Sequence, residues 1–226
     1  MRLLITAGPT HEPVDPVRYL ANRSSGKMGF ALAAEAACRG WQVDLIAGPV
    51  SLSTPEGVQR TDVETARDMA AAVAKALPAC DAAIFAAAVA DFRPADPAPG
   101  KIAKANAPDA IPLVANPDIL GSARAPFGFC GVLVGFAAET QDLLENARAK
   151  LLRKQCDMLV ANRVDIPGQG FGSDLNEITL LFPEGPPRPL ALATKTELAA
   201  AILDHMPEHP HSSFSFACNS GKNGMS

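Results

Sequence analysis

No apolar run in this sequence approaches the roughly 18 residues that a membrane-spanning helix needs. The opening MRLLITAGPT turns to glycine and proline too early for a secretory leader. A chain lacking both is expected in the cytoplasm, away from any membrane. Basic excess is missing too: 20 Lys and Arg stand against 24 Asp and Glu, a net charge of −4, so no global positive field favours nucleic acid. Any polyanion must therefore meet a local basic cluster. Cys38, Cys80, Cys130, Cys156 and Cys218 contain no CxxC pair, are widely spaced and are odd in number. They suggest neither a disulfide framework nor a zinc site and read as small hydrophobes. HExxH, GxSxG and diagnostically spaced carboxylate pairs are absent, which leaves protease, lipase and glycosidase readings without support.

What is present suits one globular α/β unit. The 226 residues are 48% hydrophobic, enough to bury one core. Residues 2–7 (RLLITA), 42–47 (QVDLIA), 81–89 (DAAIFAAAV), 131–138 and 157–162 (DMLVAN) read as strands. Helical spacing marks residues 31–39, 63–77, a start near Pro117 and a run from Thr140 or Gln141 to about Lys154. The nearly uniform apolarity of DAAIFAAAV fits a strand covered on both faces. Alternating strands and helices predict a Rossmann-like, doubly wound, mostly parallel sheet, with its ligand at the carboxyl ends of the strands. Residues 177–182 and 189–193 read as a C-terminal hairpin feeding a helix at 195–205. From Pro207 periodicity is lost, and 207–226 reads as a disordered tail.

Between the first strand and its helix lies GPTHEPVDPVRYLAN, far longer than the roughly 2–6 residues of an ordinary βα connection. It offers Arg18 as a possible anion clamp and Asn22 as a neutral donor and acceptor. In the NRSSGKMGF that follows, Ser24 or Ser25 can cap a helix, while Gly26, Lys27 and Gly29 allow close approach of an anion to the first amides. The stretch is neither a Walker A loop nor GxGxxG. Spacing alone leaves a capped helix and a phosphate site equally open. Asp91, after the apolar strand, suits a ribose hydroxyl, a metal or a turn cap. Lys101 and Lys104 sit on a proline-rich flap at about 92–112, and Lys150 and Lys154 share a helix face. Glu139 and Asp174 qualify as general bases by position only.

Taken together, ITAGPTHEPVDPVRYLANRSSGKMGFALA, AGPVSL, AAAVADFRP, GKIAK, NPDIL, VGFAAET and GFGSDLNEITL resemble, in order over residues 2–205, phosphopantothenate–cysteine ligase, also called phosphopantothenoylcysteine synthetase. The resemblance implies a homodimeric ligase domain over residues 1–206 that joins 4'-phosphopantothenate to L-cysteine in coenzyme A biosynthesis. CTP would be spent through an acyl-cytidylate, with release of diphosphate and CMP. It implies magnesium with the nucleotide, with metal ligands unknown, and no flavin on this chain. Asn22 matches the family's asparagine in turnover of the acyl-nucleotide, and Lys101 a lysine of the active-site flap. The nucleotide pocket carries over to Phe85, Ala86, Ala87, Asp91, Lys101, Pro117, Asp118, Ile119, Leu120, Phe136, Lys150 and Lys154. Ala103 departs from the family's KIKK flap and lowers its charge. Many bacterial members are fused behind a flavin-dependent decarboxylase, a separate or fused partner here. Fold alone also allows a nicotinamide-dependent oxidoreductase or a non-catalytic nucleotide-binding module.

Overall fold

A computed structural model describes residues 1–106, 108–139, 142–163 and 172–215. In chain order the elements are β1 (Arg2–Ala7), β2 (Glu12–Pro13), β3 (Tyr19–Leu20), α1 (Lys27–Cys38), β4 (Gln42–Ala47), β5 (Val58–Asp62), α2 (Ala66–Ala76), β6 (Ala82–Phe85), β7 (Phe92–Pro94), β8 (Leu113–Ala115) and α3 (Ile119–Ser122). They continue with β9 (Val132–Glu139), α4 (Leu143–Arg153), β10 (Met158–Arg163), β11 (Leu175–Leu181), β12 (Arg188–Thr194), α5 (Lys195–Asp204) and α6 (Ser212–Ser215).

Eight strands form one sheet in the order β12-β11-β10-β9-β6-β1-β4-β5. The six from β10 to β5 run parallel, and β11 pairs antiparallel with both β10 and β12. This is the doubly wound arrangement expected from the sequence, with the C-terminal hairpin at one edge. Alternate side chains of β1 enter opposite layers: Leu3, Ile5 and Ala7 pack with α1 and α5, while Leu4 packs with α2, α3 and α4. A central strand covered on both faces must be apolar throughout, which is why these strands stand out in the sequence. The chain order reverses direction between β1 and β6, whose Thr6 and Phe85 are register partners. A crevice opens at such a switch point.

Several local expectations are corrected. Helix α1 starts neither on Ser24 nor on Ser25: Gly26 is its N-cap, at φ 76° and without a side-chain cap bond, in the left-handed region that glycine enters cheaply. Strand β5 was not legible because VQRTD, on the sheet edge, is largely exposed. The 81–89 strand ends at Phe85, since residues 86–90 leave the sheet to line the crevice. The tail holds a short helix before residue 216, and the His211 amide donates to the buried Asp157 Oδ1 at 2.7 Å. That carboxylate also pairs with buried Arg124 at 2.7 Å. Residues 140, 141 and 216–226, where a helix start and most of the tail were expected, lie outside the described residues, as does the Glu139 side chain.

Candidate active site

The segment AAAVAD after β6 is the floor of the site, and every anchor on it comes from another element. Thr6 Oγ1 accepts from the Ala87 amide at 3.3 Å and Thr10 Oγ1 from the Ala90 amide at 3.0 Å. Asn116 Nδ2 donates to the Ala90 carbonyl at 2.8 Å. Asn22 Nδ2 donates to the Ala88 and Val89 carbonyls at 3.2 and 3.0 Å. Two facing carbonyls dictate which end of the amide is NH2, so Asn22 turns its Oδ1 acceptor away from the floor.

A cavity of about 650 Å³ opens above this floor, at the carboxyl ends of β1, β6, β9 and β10. Its lining brings together Asn22, Ser24, Ser25, Gly26, Lys27 and Gly29 with Phe85, Ala86, Ala87 and Asp91. Pro117, Asp118, Ile119, Leu120, Phe136, Lys150 and Lys154 line it as well. Gly29 carries no side chain because an added Cβ would lie 2.5 Å from Ala7 Cβ; its absence lets α1 approach β1. With no side chain capping α1, its first-turn amides remain available to a bound anion.

Four predicted residues, Arg18, Lys101, Lys104 and Asp174, stand outside the cavity lining. Lys101 is exposed on the flap and does not line the cavity. Arg18 does not clamp an anion there: its guanidinium grips Asp15 and donates to the Ile102 carbonyl at 3.1 Å. Asp15 also accepts from the Ile102 amide at 3.1 Å, so this ion pair holds the flap beside Lys101. The Arg18 hydrogen bond keeps the Asp15 carboxyl well below the ordinary range.

Arg153, Asn162, Asn176 and Lys195 also line the cavity. Asn162, a polar residue ending an apolar strand, carried a usable positional signal; Lys195 had none, since a helix-initial lysine looks like a solvated one. In all, five cations, Lys27, Lys150, Arg153, Lys154 and Lys195, line the cavity together with two carboxylates, Asp91 and Asp118. The cavity is thus cationic within a chain of net charge −4, which suits a polyanion. Asp118 caps α3 by accepting from the Gly121 amide at 2.9 Å and ion-pairs with Lys154. Burial raises the Asp118 pKa, but Lys154, the Gly121 amide and Arg153 together bring it below its ordinary value. Among the described residues no group of three or more His, Cys, Asp and Glu forms a metal site, and no helix is long and apolar enough to cross a membrane.

Residues 1–209 match the family of DNA/pantothenate metabolism flavoprotein C-terminal domains. The chain belongs to that family. It is 50% identical over 204 residues to the coenzyme A biosynthesis bifunctional protein CoaBC of Vibrio cholerae, covering 89% of this chain and 51% of the relative. Against CoaBC of Escherichia coli K12 the identity is 48% over 209 residues, with coverage of 91% and 51%. The chain therefore spans about half the length of these relatives. The crystal structure of the C-terminal domain of CoaBC matches with a TM-score of 0.76 and 39% identity over 90% of this chain and 92% of that one. A Cab2 mutant in complex with phosphopantothenate-cysteine shares the fold, with a TM-score of 0.71 and 18% identity over 90% and 86%. The sheet order of this chain is that of a dinucleotide-binding fold, yet residues 8–26 hold no GxGxxG turn, so the oxidoreductase reading is not favoured.

Proposed function

We propose that this chain is a cytoplasmic ligase joining the carboxylate of 4'-phosphopantothenate to the amine of L-cysteine, with CTP as activator. The observation that carries the reading is the convergence, in one cavity, of five cations, the uncapped start of α1 and the anchored amide of Asn22. A carboxylate attacking a nucleoside triphosphate must approach like charge, and preorganised cations and amides lower that barrier. Attack at the α-phosphorus forms the acyl-cytidylate and expels diphosphate. The cysteine amine then attacks the acyl carbon, CMP leaves and the amine loses a proton. Asn22 Oδ1 accepts a hydrogen bond from that amine and orients it. Closure of the flap brings Lys101 to the phosphates and excludes water from the mixed anhydride.

Magnesium belongs to the nucleotide in this reading. The cavity carboxylates cannot supply a resident site: Asp118 is engaged with Lys154 and the α3 cap, leaving Asp91 as one ligand beside phosphate oxygens and water. The ion would there neutralise the triphosphate. The names of the relatives, and the ligand of the Cab2 complex, support the substrates. The curated relatives are bifunctional and about twice as long, which leaves room for the decarboxylase partner that the family resemblance implies. A homodimer is supported by Val17, Tyr19, Phe92 and Leu113, apolar or aromatic residues 49–60% exposed on or beside the β2–β3 and β7–β8 hairpins. Mixing protein, CTP, magnesium, phosphopantothenate and cysteine is expected to release diphosphate and CMP; no diphosphate release overturns the reading. Replacing CTP by ATP, GTP or UTP in the same assay tests the choice of base.

A further inference from the structure

Three charged residues at the β11 side of the cavity have no individual role in the mechanism above. Lys195 opens α5 and is 9% exposed. Lys27 opens α1. Both therefore stand at the positive end of a helix, where a cation is disfavoured, and both line the cavity. Burial, and then the charge of Lys27, push the Lys195 pKa down, while Asp174 pulls it back. Asp174 is an anion beside both: its Oδ1 accepts from Lys27 Nζ at 2.7 Å, and its backbone carbonyl accepts from the Lys195 amide at 3.0 Å. Its side chain is 82% exposed, so water already solvates it and its own pull on either lysine is weak. The Lys27 hydrogen bond also holds the Asp174 carboxyl below its usual range, which makes it a poor general base. Asn162 and Asn176 border the same corner with neutral polar groups.

The remaining cavity cations, Lys150, Arg153 and Lys154, come from α4 and its C-cap, in the layer on the opposite face of the sheet from α1 and α5. The cavity thus holds two cation groups, one at each side of the sheet edge. We propose that Lys27 and Lys195 form a second phosphate subsite, in which the phosphate group of a bound substrate displaces the Asp174 carboxylate from Lys27. A dianionic phosphate offers more charge and more acceptor oxygens than one carboxylate, and exchange leaves Asp174 in water, where its exposure already places it. The substrate names rest on the ligase reading; the phosphate could be the polyphosphate chain of the nucleotide or the monoester of phosphopantothenate.

The test is calorimetric titration of inorganic tripolyphosphate, CTP and 4'-phosphopantothenate into the wild type, Lys195→Met and Asp174→Asn. Lys195→Met keeps the side-chain length and removes a buried charge, and circular dichroism verifies its fold. We expect it to lose roughly tenfold to a hundredfold in affinity for a phosphate ligand, with Lys195→Arg restoring part of the loss. Asp174→Asn removes the competing anion and is expected to tighten the same ligand severalfold. A lysine–aspartate pair that served only structure would weaken binding in both variants. Loss confined to CTP assigns the subsite to the nucleotide, and loss confined to phosphopantothenate assigns it to the monoester. Unchanged affinities for all three probes in folded Lys195→Met, or no tightening in Asp174→Asn, overturns the proposal. If the wild type binds tripolyphosphate but neither named substrate, and the two variants shift that binding in opposite directions, the subsite stands and the ligase reading falls.

Discussion

Asn22 shows how much chemistry one side chain gains from its anchors. Its NH2 is consumed by two floor carbonyls, so replacement by alanine removes an orienting acceptor while leaving every cavity cation in place. Asn22→Ala is expected to bind CTP within about twofold of wild type and to release diphosphate, while CMP release slows about a hundredfold, the typical effect of losing one positioned polar group. Rapid-quench measurement of the two products checks this, and parallel loss of both would remove Asn22 from the second step. Asp15 acts at a distance from the chemistry. Its carboxyl is held well below the ordinary range, first by the Arg18 hydrogen bond, so it contributes stability above the unfolded value near 4 that disappears as pH falls below it. The difference in melting temperature between wild type and Asp15→Asn should therefore be largest at neutral pH and shrink from about pH 4 downward; a difference independent of pH would contradict the ion pair.

Among the elements, α1 most directly couples packing to the site. An alanine at Gly29 would force its Cβ to within 2.5 Å of Ala7 Cβ. The helix must then back away from β1 and carry its first-turn amides with it. Overpacking of this kind costs about 1–3 kcal/mol, which the urea midpoint of Gly29→Ala should report, together with weaker CTP binding. An unchanged midpoint would mean the helix tolerates the shift. The same element shows what the sequence conveys. Buried strands such as β1 and β4 were legible because both faces demand apolar residues. The cap of α1 was not, since Ser24 and Ser25 satisfy every local rule for a cap and only the backbone turn at Gly26 displaces them. Lys27 and Asp174 lie 147 positions apart, and no local pattern pairs them. Of the residues carried over from family motifs, all but Lys101 line one cavity, whereas Lys195 joins them only through the tertiary fold.

On the scale of the whole molecule, the exposed apolar residues of the two small hairpins set the expected assembly. Phe92→Asp should convert a dimer to a monomer in sedimentation velocity at micromolar concentration, because a buried carboxylate without a partner is costly; an unchanged sedimentation coefficient would place the interface elsewhere. The sheet carries one more consequence. Its β6–β9 junction divides the eight strands by chain order, with β1, β4, β5 and β6 on one side and β9 through β12 on the other. The exposed residues 99–101 of the flap lie between the two groups. A chain cut there yields two pieces, each with four contiguous strands, and the cavity wall draws residues from both. A ligand filling that cavity would bridge the pieces, so two separately produced halves should reassemble more tightly when it is added. A cavity walled from both pieces would then make the protein a two-part sensor for its own substrate.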